Sequence, residues 1–441
     1  MNQDIDKLVY QAVFGSAAEK SSSRKKIYQL AIKNNIIPSS INDLYLSRGK
    51  EELPHNFTVP AMNIRGMAYD TARSAFKSAK KLKVQALIFE LARSEMSYTD
   101  QPPMEYATVI MAAALKEGWS GPLFIQGDHF QTKVESPGVP KSGEIESIKN
   151  LIKESINAGF YNIDIDMSTL VDLDKKTEAE QQVANISYSI DLTKYVRSIE
   201  PKGITVSIGG EIGHIGGVNS SNEDFIAYID GFNELLGKDM IGMSKVSVNT
   251  GSSHGGVVLA DGSLADVSID FSILKNISKL GRDKYKIGGA VQHGASTLPD
   301  EYFSQFVKSE AIEVHLATGF QNLQMDHPEF PKELLKEMYL WLDQNCLDEK
   351  KKGMTQKQFH YKLRKKAWGH FKKQVWDIPE ENKSKIRDSL EKRFEFFYKE
   401  LGVINSKDIV DKTTKVVTIP LSDKNFGDSQ NKEDDVQDLD D

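Results

Sequence analysis

A repeating pattern of short apolar runs and longer helix-like segments begins at residue 57 and constrains the fold more than any other feature. Eight such runs follow in order: FTVPAMNI, VQALIFEL, GPLFIQGDH, YNIDIDMS, ITVSIGGEIG, KVSVNTG, KIGGAVQHG and EVHLATG. Most are continuously apolar, which is typical of strands buried on both faces. Intervening segments such as MEYATVIMAAALKEG carry apolar residues three and four positions apart and end on glycine, as amphipathic helices do. The pattern predicts parallel strands in a (β/α)8 TIM barrel, with a doubly wound open sheet as the main alternative.

The remaining segments divide the chain of 441 residues around this barrel. We expect an N-terminal helical extension over residues 1–55 and the barrel over 56–330. A C-terminal helical extension over 331–421 carries aromatic residues that should pack against the barrel or a second subunit. Residues 422–441 are acidic with almost no apolar content, which predicts a disordered tail.

Composition narrows the class of protein. The chain has 39% hydrophobic and 27% charged residues and a formal net charge of −7, which is typical of a soluble globular protein and argues against binding nucleic acid by bulk electrostatics. Its single cysteine, Cys346, excludes an internal disulfide. No apolar run approaches the roughly 18 residues of a membrane helix, and MNQDIDKLVY lacks the features of a secretory signal. We therefore expect a cytoplasmic protein that does not bind membranes.

Polar residues cluster where the predicted strands end, and in a parallel barrel those ends form the active-site face. In strand order they are Asn63, Asp128 and His129, Asp166 and Ser168, Glu211, His254, His293, and Ala317 with Thr318. Three histidines at separate strand ends predict a metal site, because three imidazoles leave a fourth position on zinc open to a substrate. The histidines at 55, 327, 360 and 370 are instead predicted to be packed or surface residues.

Several motifs occur in a fixed order between residues 57 and 322. They are Asp128-His129, NIDIDMS at 162–168, Glu211-Ile212-Gly213 with Gly216-Gly217, GSSHG at 251–255 and HGAST at 293–297. Each motif alone is weak. The ordered set resembles the class II, metal-dependent ketose-bisphosphate aldolases.

The resemblance implies a role for each matching residue. His129, His254 and His293 would hold a catalytic Zn²⁺, with Glu211 as an alternative ligand. Asp128 would be the acid/base that exchanges a proton with the aldehyde oxygen. Asp166 and Ser168 would lie beside the metal site and orient a ligand. Substrate and phosphate binding would fall to Asn63, Gly255, Gly294, Ser296, Thr297, His315 and Thr318, since glycine-rich turns let backbone N–H groups approach an oxyanion.

Three departures from the family pattern concern the substrate end of the site. His315 stands where the family commonly has an asparagine, and Ala295 and Thr297 replace two glycines of an HGGSG turn. The proton-transfer glutamate of the family's mobile loop normally follows the Gly-Gly pair closely, whereas Glu223 comes several residues later. Glu223 is the candidate if the intervening residues are a loop insertion. The alternative is a carboxylate at a helix N-terminus.

The function that this resemblance implies is reversible cleavage of fructose 1,6-bisphosphate to dihydroxyacetone phosphate and glyceraldehyde 3-phosphate through a zinc-stabilised enediolate, a step of glycolysis and gluconeogenesis. Alternatives are a tagatose-1,6-bisphosphate aldolase, its non-catalytic auxiliary subunit, or another metal-assisted aldol enzyme. The expected partners are sugar bisphosphates and triose phosphates. The resemblance also implies a homo-oligomer, a dimer or tetramer, and leaves room for a second divalent or monovalent cation.

Overall fold

The computed structural model describes residues 4–213, 218–251, 259 and 269–428. Its strands are β1 Ile36–Ser39, β2 Val59–Asn63, β3 Ile88–Ala92, β4 Gly121–Gln131, β5 Val134–Ser136, β6 Val139–Pro140, β7 Asn162–Asp166, β8 Ser207–Glu211, β9 Lys245–Ser247, β10 Ala290–Gln292 and β11 Glu313–Leu316. Strands β2, β3, β4, β7, β8, β9, β10 and β11 pair in parallel, and the β11–β2 and β4–β7 pairs close the ring. The predicted (β/α)8 barrel is therefore confirmed.

Helices surround the barrel and extend beyond it. They are α1 Ile5–Phe14, α2 Ala17–Lys33, α3 Asn42–Gly49, α4 Ala68–Leu82, α5 Arg93–Tyr98, α6 Pro103–Glu117, α7 Glu144–Ala158, α8 Glu178–Gln181, α9 Val183–Ile199, α10 Asn222–Leu236, α11 Phe271–Leu280, α12 Phe303–Lys308, α13 Thr318–Met325, α14 Lys332–Asn345, α15 Gln356–Leu363, α16 Ala367–His370, α17 Lys372–Trp376, α18 Glu380–Glu400 and α19 Lys407–Thr413. None of the helices in the described residues combines the length and the apolar composition that a membrane span requires.

Local sequence explains where the barrel helices begin and end. Helix α6 begins at Pro103, where the missing N–H costs no helical hydrogen bond, and is capped at its C-terminus by Gly118 with φ of 65°. Helix α7 is capped in the same way by Gly159, whose φ is 96°. These stops return the chain directly into the next strand.

The first 55 residues are more than the expected helical extension, because they contain β1 and belong to the barrel's base. Strand β1 runs parallel to the start of β4, with Ile36 opposite Gly121. Helix α3 directs the buried side chain of Tyr45 into the barrel, where its hydroxyl donates to Glu313. The chain before the barrel therefore contributes a polar group to the barrel interior.

The C-terminal segment also packs on the barrel. Packing against the barrel was one of the two arrangements expected for its aromatic residues, the other being contact with a second subunit. Helix α18 lies against α4, where Ser74 Oγ donates to the Arg387 carbonyl at 3.3 Å. On its other side, Phe394 and Phe397 pack against Phe320 of α13 and Phe303 of α12, with ring centroids 4.8 Å apart in both pairs. Helix α18 thus covers the outside of the barrel beside the short helix α13.

The predicted acidic tail begins later than residue 422. Residues Asp423–Phe426 form a 3-10 turn, and Phe426 is buried with its ring 5.8 Å from that of Tyr28. Phe426 is one of very few apolar residues in this segment, so the composition of residues 422–441 did not predict that its side chain would be buried. Residues 429–441 lie outside the described part of the chain.

Candidate active site

A β-bulge in β4 presents two neighbouring side chains to the mouth of the barrel. Gly127 pairs with Ile163 and Phe130 pairs with Ile165, so β4 has one more residue than β7 between these pairs. His129 takes up the distortion with a φ of 41°. Asp128 and His129 both line the same pocket as a result, whereas consecutive residues of a regular strand point to opposite faces.

His129 and His293 meet at the centre of this pocket. The Nε2 atom of His129 lies 2.5 Å from the Nδ1 atom of His293, and the two rings are perpendicular. On its other side, the Nε2 atom of His293 lies 3.0 Å from the Ser247 hydroxyl. The two imidazole nitrogens are in hydrogen-bond contact. One ligand atom each from His129, His293 and Glu211 lies within 4.8 Å of the others, so these three buried side chains could hold one metal ion.

Two carboxylates lie behind His129. Its Nδ1 atom is 2.9 Å from Asp166 Oδ2 and 3.2 Å from Glu211 Oε2, and Asp166 also accepts from Ser168 Oγ at 2.7 Å. A carboxylate on the far nitrogen fixes the tautomer and orientation of a metal-binding histidine. Burial raises the pKa of Glu211 to about 8, with Asp166 adding to the effect and His129 opposing it.

Asp128 is held from two sides. Asn63 Nδ2 donates to its Oδ2 atom at 2.8 Å, and His315 Nδ1 lies 3.2 Å from its Oδ1 atom. Burial opposes the charged form, but His129 and His315 outweigh it and hold the pKa of Asp128 well below its ordinary range. The group is therefore a carboxylate positioned to accept a proton.

His315 connects the pocket to a charged layer beneath it. Its ring stacks on that of His293 with centroids 4.1 Å apart. Its Nδ1 atom lies 3.1 Å from Glu90 Oε1, and its Nε2 atom lies 2.7 Å from Glu313 Oε1. Burial lowers the pKa of His315, but Glu90 and Asp128 outweigh it and raise the pKa well above 6.5. Carboxylates on both nitrogens thus favour an imidazolium.

The layer beneath His315 was not predicted from the sequence. Lys245 Nζ lies 2.9 Å from Asp164 Oδ1, donates to Gln126 Oε1 at 2.9 Å and pairs with Glu313. All four side chains are buried. The sequence feature that could have predicted this layer is a charged or amide residue within an otherwise apolar strand, as in NIDID and EVHL.

Arg65 and Glu95 are further pocket residues that the sequence did not single out. Arg65 Nε donates to Glu95 Oε1 at 2.5 Å, and Arg65 Nη1 donates to the Thr318 hydroxyl at 3.1 Å. Both follow barrel strands closely, Arg65 two residues after β2 and Glu95 three residues after β3. These positions just after strand ends are the sequence feature from which both residues could have been predicted to line the pocket.

The structure brings most of the predicted residues together. The pocket is lined by Asn63, Asp128, His129, His293, Gly294, Ser296, His315 and Thr318, together with Arg65, Glu95 and Ala317. Thr297 is half-buried and is not among these lining residues. Glu223 is exposed in the first turn of α10, the position that the helix-terminus alternative describes. His254 and Gly255 lie outside the described residues.

Comparison with known proteins decides the family. The family model described as fructose-bisphosphate aldolase class-II matches residues 50–385. The chain belongs to the class-II fructose-bisphosphate aldolase family. Membership in this aldolase family indicates an enzyme and supports a lyase that acts on sugar phosphates. No curated protein matches the sequence.

Solved structures share the barrel with this class-II family member at low identity. A probable tagatose 6 phosphate kinase from Sinorhizobium meliloti is 11% identical with a TM-score of 0.54, covering 81% of this chain and 98% of its own. A fructuronate-tagaturonate epimerase from Cohnella laeviribosi is 10% identical with a TM-score of 0.56, covering 88% and 86%. A fructose-bisphosphate aldolase from Campylobacter jejuni is 17% identical with a TM-score of 0.49, covering 84% and 96%. The first two likenesses show the fold.

Proposed function

We propose that this protein is a zinc-dependent aldolase that reversibly cleaves fructose 1,6-bisphosphate to dihydroxyacetone phosphate and glyceraldehyde 3-phosphate. The observation that carries the proposal is the convergence of His129 Nε2 and His293 Nδ1 beside the carboxylate of Asp128. Family membership supplies the reaction class. The buried residues supply the groups that such a reaction needs.

The donor set suits a zinc ion. Buried imidazoles are the nitrogen ligands that zinc prefers, and His129 has Asp166 as its supporting carboxylate. His129 and His293 would hold the ion with His254, and Glu211 is the candidate for an alternative position. When bound, the ion supplies stabilisation of the negative charge that develops on the enediolate as the C3–C4 bond breaks.

Asp128 is the proposed acid/base. In cleavage its carboxylate accepts the proton of the C4 hydroxyl, and in condensation it returns that proton to the aldehyde oxygen. Its low pKa keeps the group ionised and so free of a proton before the reaction, and Asn63 and His315 lie against its two oxygens. Glu223, which is exposed in the first turn of α10, is the candidate for the second proton transfer only if the residues before α10 are a loop insertion.

The turns after β10 and β11 are the proposed phosphate site. Ser296 Oγ accepts from the Gly319 N–H at 3.0 Å and so joins the two turns. Gly294, with φ of 67°, brings backbone into the pocket wall, and Thr318 begins helix α13. Loops after the last two barrel strands commonly bind phosphate. Asn63, Gly255, Thr297 and His315 complete the proposed substrate-binding set.

Metal analysis combined with kinetics tests the proposal. The purified chain alone should contain about one zinc per protomer and cleave fructose 1,6-bisphosphate, lose activity with EDTA and regain it with Zn²⁺. Activity that survives EDTA and is lost with borohydride plus substrate would indicate a Schiff base and contradict the zinc mechanism. Preference for tagatose 1,6-bisphosphate would reassign the substrate. Cleavage only after a partner protein is added would favour an auxiliary subunit.

A further inference from the structure

Arg65 is a buried cation in the wall of the proposed active site. It leaves β2 two residues after Asn63, and only 7% of its surface is exposed. Its guanidinium lines the same pocket as Gly294, Ser296 and Thr318. A cation in such a position is placed to act on an anionic substrate.

Two neighbours fix the orientation of the guanidinium. Glu95 accepts from Arg65 Nε at 2.5 Å, which turns Nη1 towards Thr318, whose hydroxyl it reaches at 3.1 Å. The same Glu95 carboxylate also accepts from Asn63 Nδ2 and from the Ala92 N–H, each at 2.8 Å. Its negative charge is therefore shared among three donors, and Glu95 acts as a support that directs the arginine.

The backbone that carries Arg65 is fixed as well. Gln101 Nε2 donates to the Arg65 carbonyl at 3.0 Å. The ring of Trp368 covers the next residue so closely that a Cβ added to Gly66 would lie 2.5 Å from it. Trp368 in turn donates to Gln321 of α13 at 3.0 Å. The C-terminal segment thus holds the Arg65 turn and α13 together.

We propose that Arg65 is a specificity-determining residue that binds the phosphate of the dihydroxyacetone half of the substrate. The inference rests on the proposed function and adds a side chain to a site otherwise composed of turns and hydroxyl groups. A guanidinium offers a phosphate two parallel charge-assisted hydrogen bonds, and the first turn of α13 contributes its positive end to the same place. Together they favour a doubly charged oxyanion over a neutral sugar end.

Direct binding and kinetics on the full chain test this role. Inorganic phosphate, with acetate as a carboxylate probe, is titrated calorimetrically into the wild type, Arg65→Gln and Arg65→Lys. Arg73→Gln is the matched control, because Arg73 Nε makes a similar pair with Glu117 at 2.7 Å on the outer face of the barrel. Thermal unfolding shows that each variant is folded.

Arg65→Gln should weaken phosphate binding roughly tenfold to a hundredfold, from the loss of a charged hydrogen-bonding partner. It should raise the KM for fructose 1,6-bisphosphate by a similar factor, with a smaller change in kcat. The phosphate affinity and KM of Arg65→Lys should lie between those of Arg65→Gln and the wild type. Those of Arg73→Gln should equal the wild-type values. The two proposals can also be separated. If phosphate binding depends on Arg65 but the protein does not cleave fructose 1,6-bisphosphate, the role of Arg65 is supported and the proposed aldolase activity is contradicted.

Three results would overturn the inference. The first is that Arg65→Gln cleaves the bisphosphate with the same KM and binds phosphate with the same affinity as the wild type. The proposed aldolase activity would still stand in that case. The second is tighter binding of acetate than of phosphate, which would indicate a carboxylate substrate. The third is loss of phosphate affinity in Arg73→Gln equal to that in Arg65→Gln, which would make the effect one of general stability.

Discussion

The imidazole of His315 lies nearly parallel to that of His293, at 27° and with ring centroids 4.1 Å apart. His293 belongs to the proposed metal site and His315 to the charged layer below it, so this stack joins the two. Beneath it, His315 contacts Glu313, which pairs with Lys245. The chemistry at the mouth therefore depends on a salt-bridge network inside the barrel.

Replacing a proposed metal ligand should remove the metal and the activity together. His293→Ala is expected to bind less than about a tenth of the wild-type zinc, because losing one of a few ligands weakens a site by at least 10-fold to 100-fold. Cleavage should fall in parallel. His360→Ala is the control, since His360 contacts Asp343 and Tyr339 on a helical surface away from the pocket. Wild-type zinc content in His293→Ala would exclude His293 as a ligand.

Replacing the proposed acid/base should separate catalysis from metal binding. Asp128→Asn keeps the shape of the side chain but cannot accept a proton, so kcat should fall by about 10²-fold to 10⁴-fold. Zinc content should stay at the wild-type level. The measurement is steady-state cleavage alongside metal analysis of the same samples. Undiminished kcat in a zinc-loaded Asp128→Asn would assign the proton transfer to another residue.

Breaking the ion pairs of Lys245 should destabilise the barrel. Lys245→Met leaves the buried carboxylates of Asp164 and Glu313 without their cation, and removing one partner of a buried pair costs about 3–5 kcal/mol. Lys149→Met breaks a pair with the half-exposed Asp191 and should cost less than about 1 kcal/mol. Urea unfolding gives both free energies. Equal effects in the two variants would show that the interior network adds no special stability.

The pH dependence of stability should show the contribution of Glu313. Burial alone would raise its pKa, but Lys245 and His315 outweigh burial and lower the pKa from 4.5 to about 2. A depressed carboxyl pKa stabilises the folded state above pH 4.5, and this stability is lost as the pH falls towards 2. This contribution appears in the difference in unfolding free energy between the wild type and Glu313→Gln. Below pH 4.5 it should shrink by about 1.4 kcal/mol per pH unit. A difference that stays constant down to pH 3 would contradict the assignment.

A methyl group at Gly66 should disturb the turn that carries Arg65. In Gly66→Ala the new Cβ would meet the Trp368 ring at 2.5 Å, and such overpacking costs about 1–3 kcal/mol. The KM for the bisphosphate should rise because the arginine is displaced. The double variant Gly66→Ala/Trp368→Leu should recover part of both losses. If the double variant is no better than the single one, contact with Trp368 is not the cause.

The barrel could be predicted because most of its strands are continuous apolar runs followed by an amphipathic segment, and these patterns are local. The placement of polar residues at strand ends also allowed Asp128, His129 and His293 to be assigned to one pocket before their contacts were known. This assignment to one pocket follows from the general geometry of a parallel barrel, in which all strands end at the same face.

Other features depended on contacts between distant segments. Glu90, Asp164, Lys245 and Glu313 belong to four different strands, and only closure of the ring places their charges together. The extra residue at the β4 bulge, which directs Asp128 and His129 into the same pocket, follows from pairing with β7.

The sequence by itself thus determined the fold class, the order of the strands and the residue types of the proposed metal site, because periodicity and short motifs are local properties. Only the tertiary structure decided that Arg65 faces Thr318 across 253 positions of chain and that His315 is surrounded by carboxylates. Side-chain charge and orientation in a closed barrel depend on all its strands at once, and no single segment contains that information.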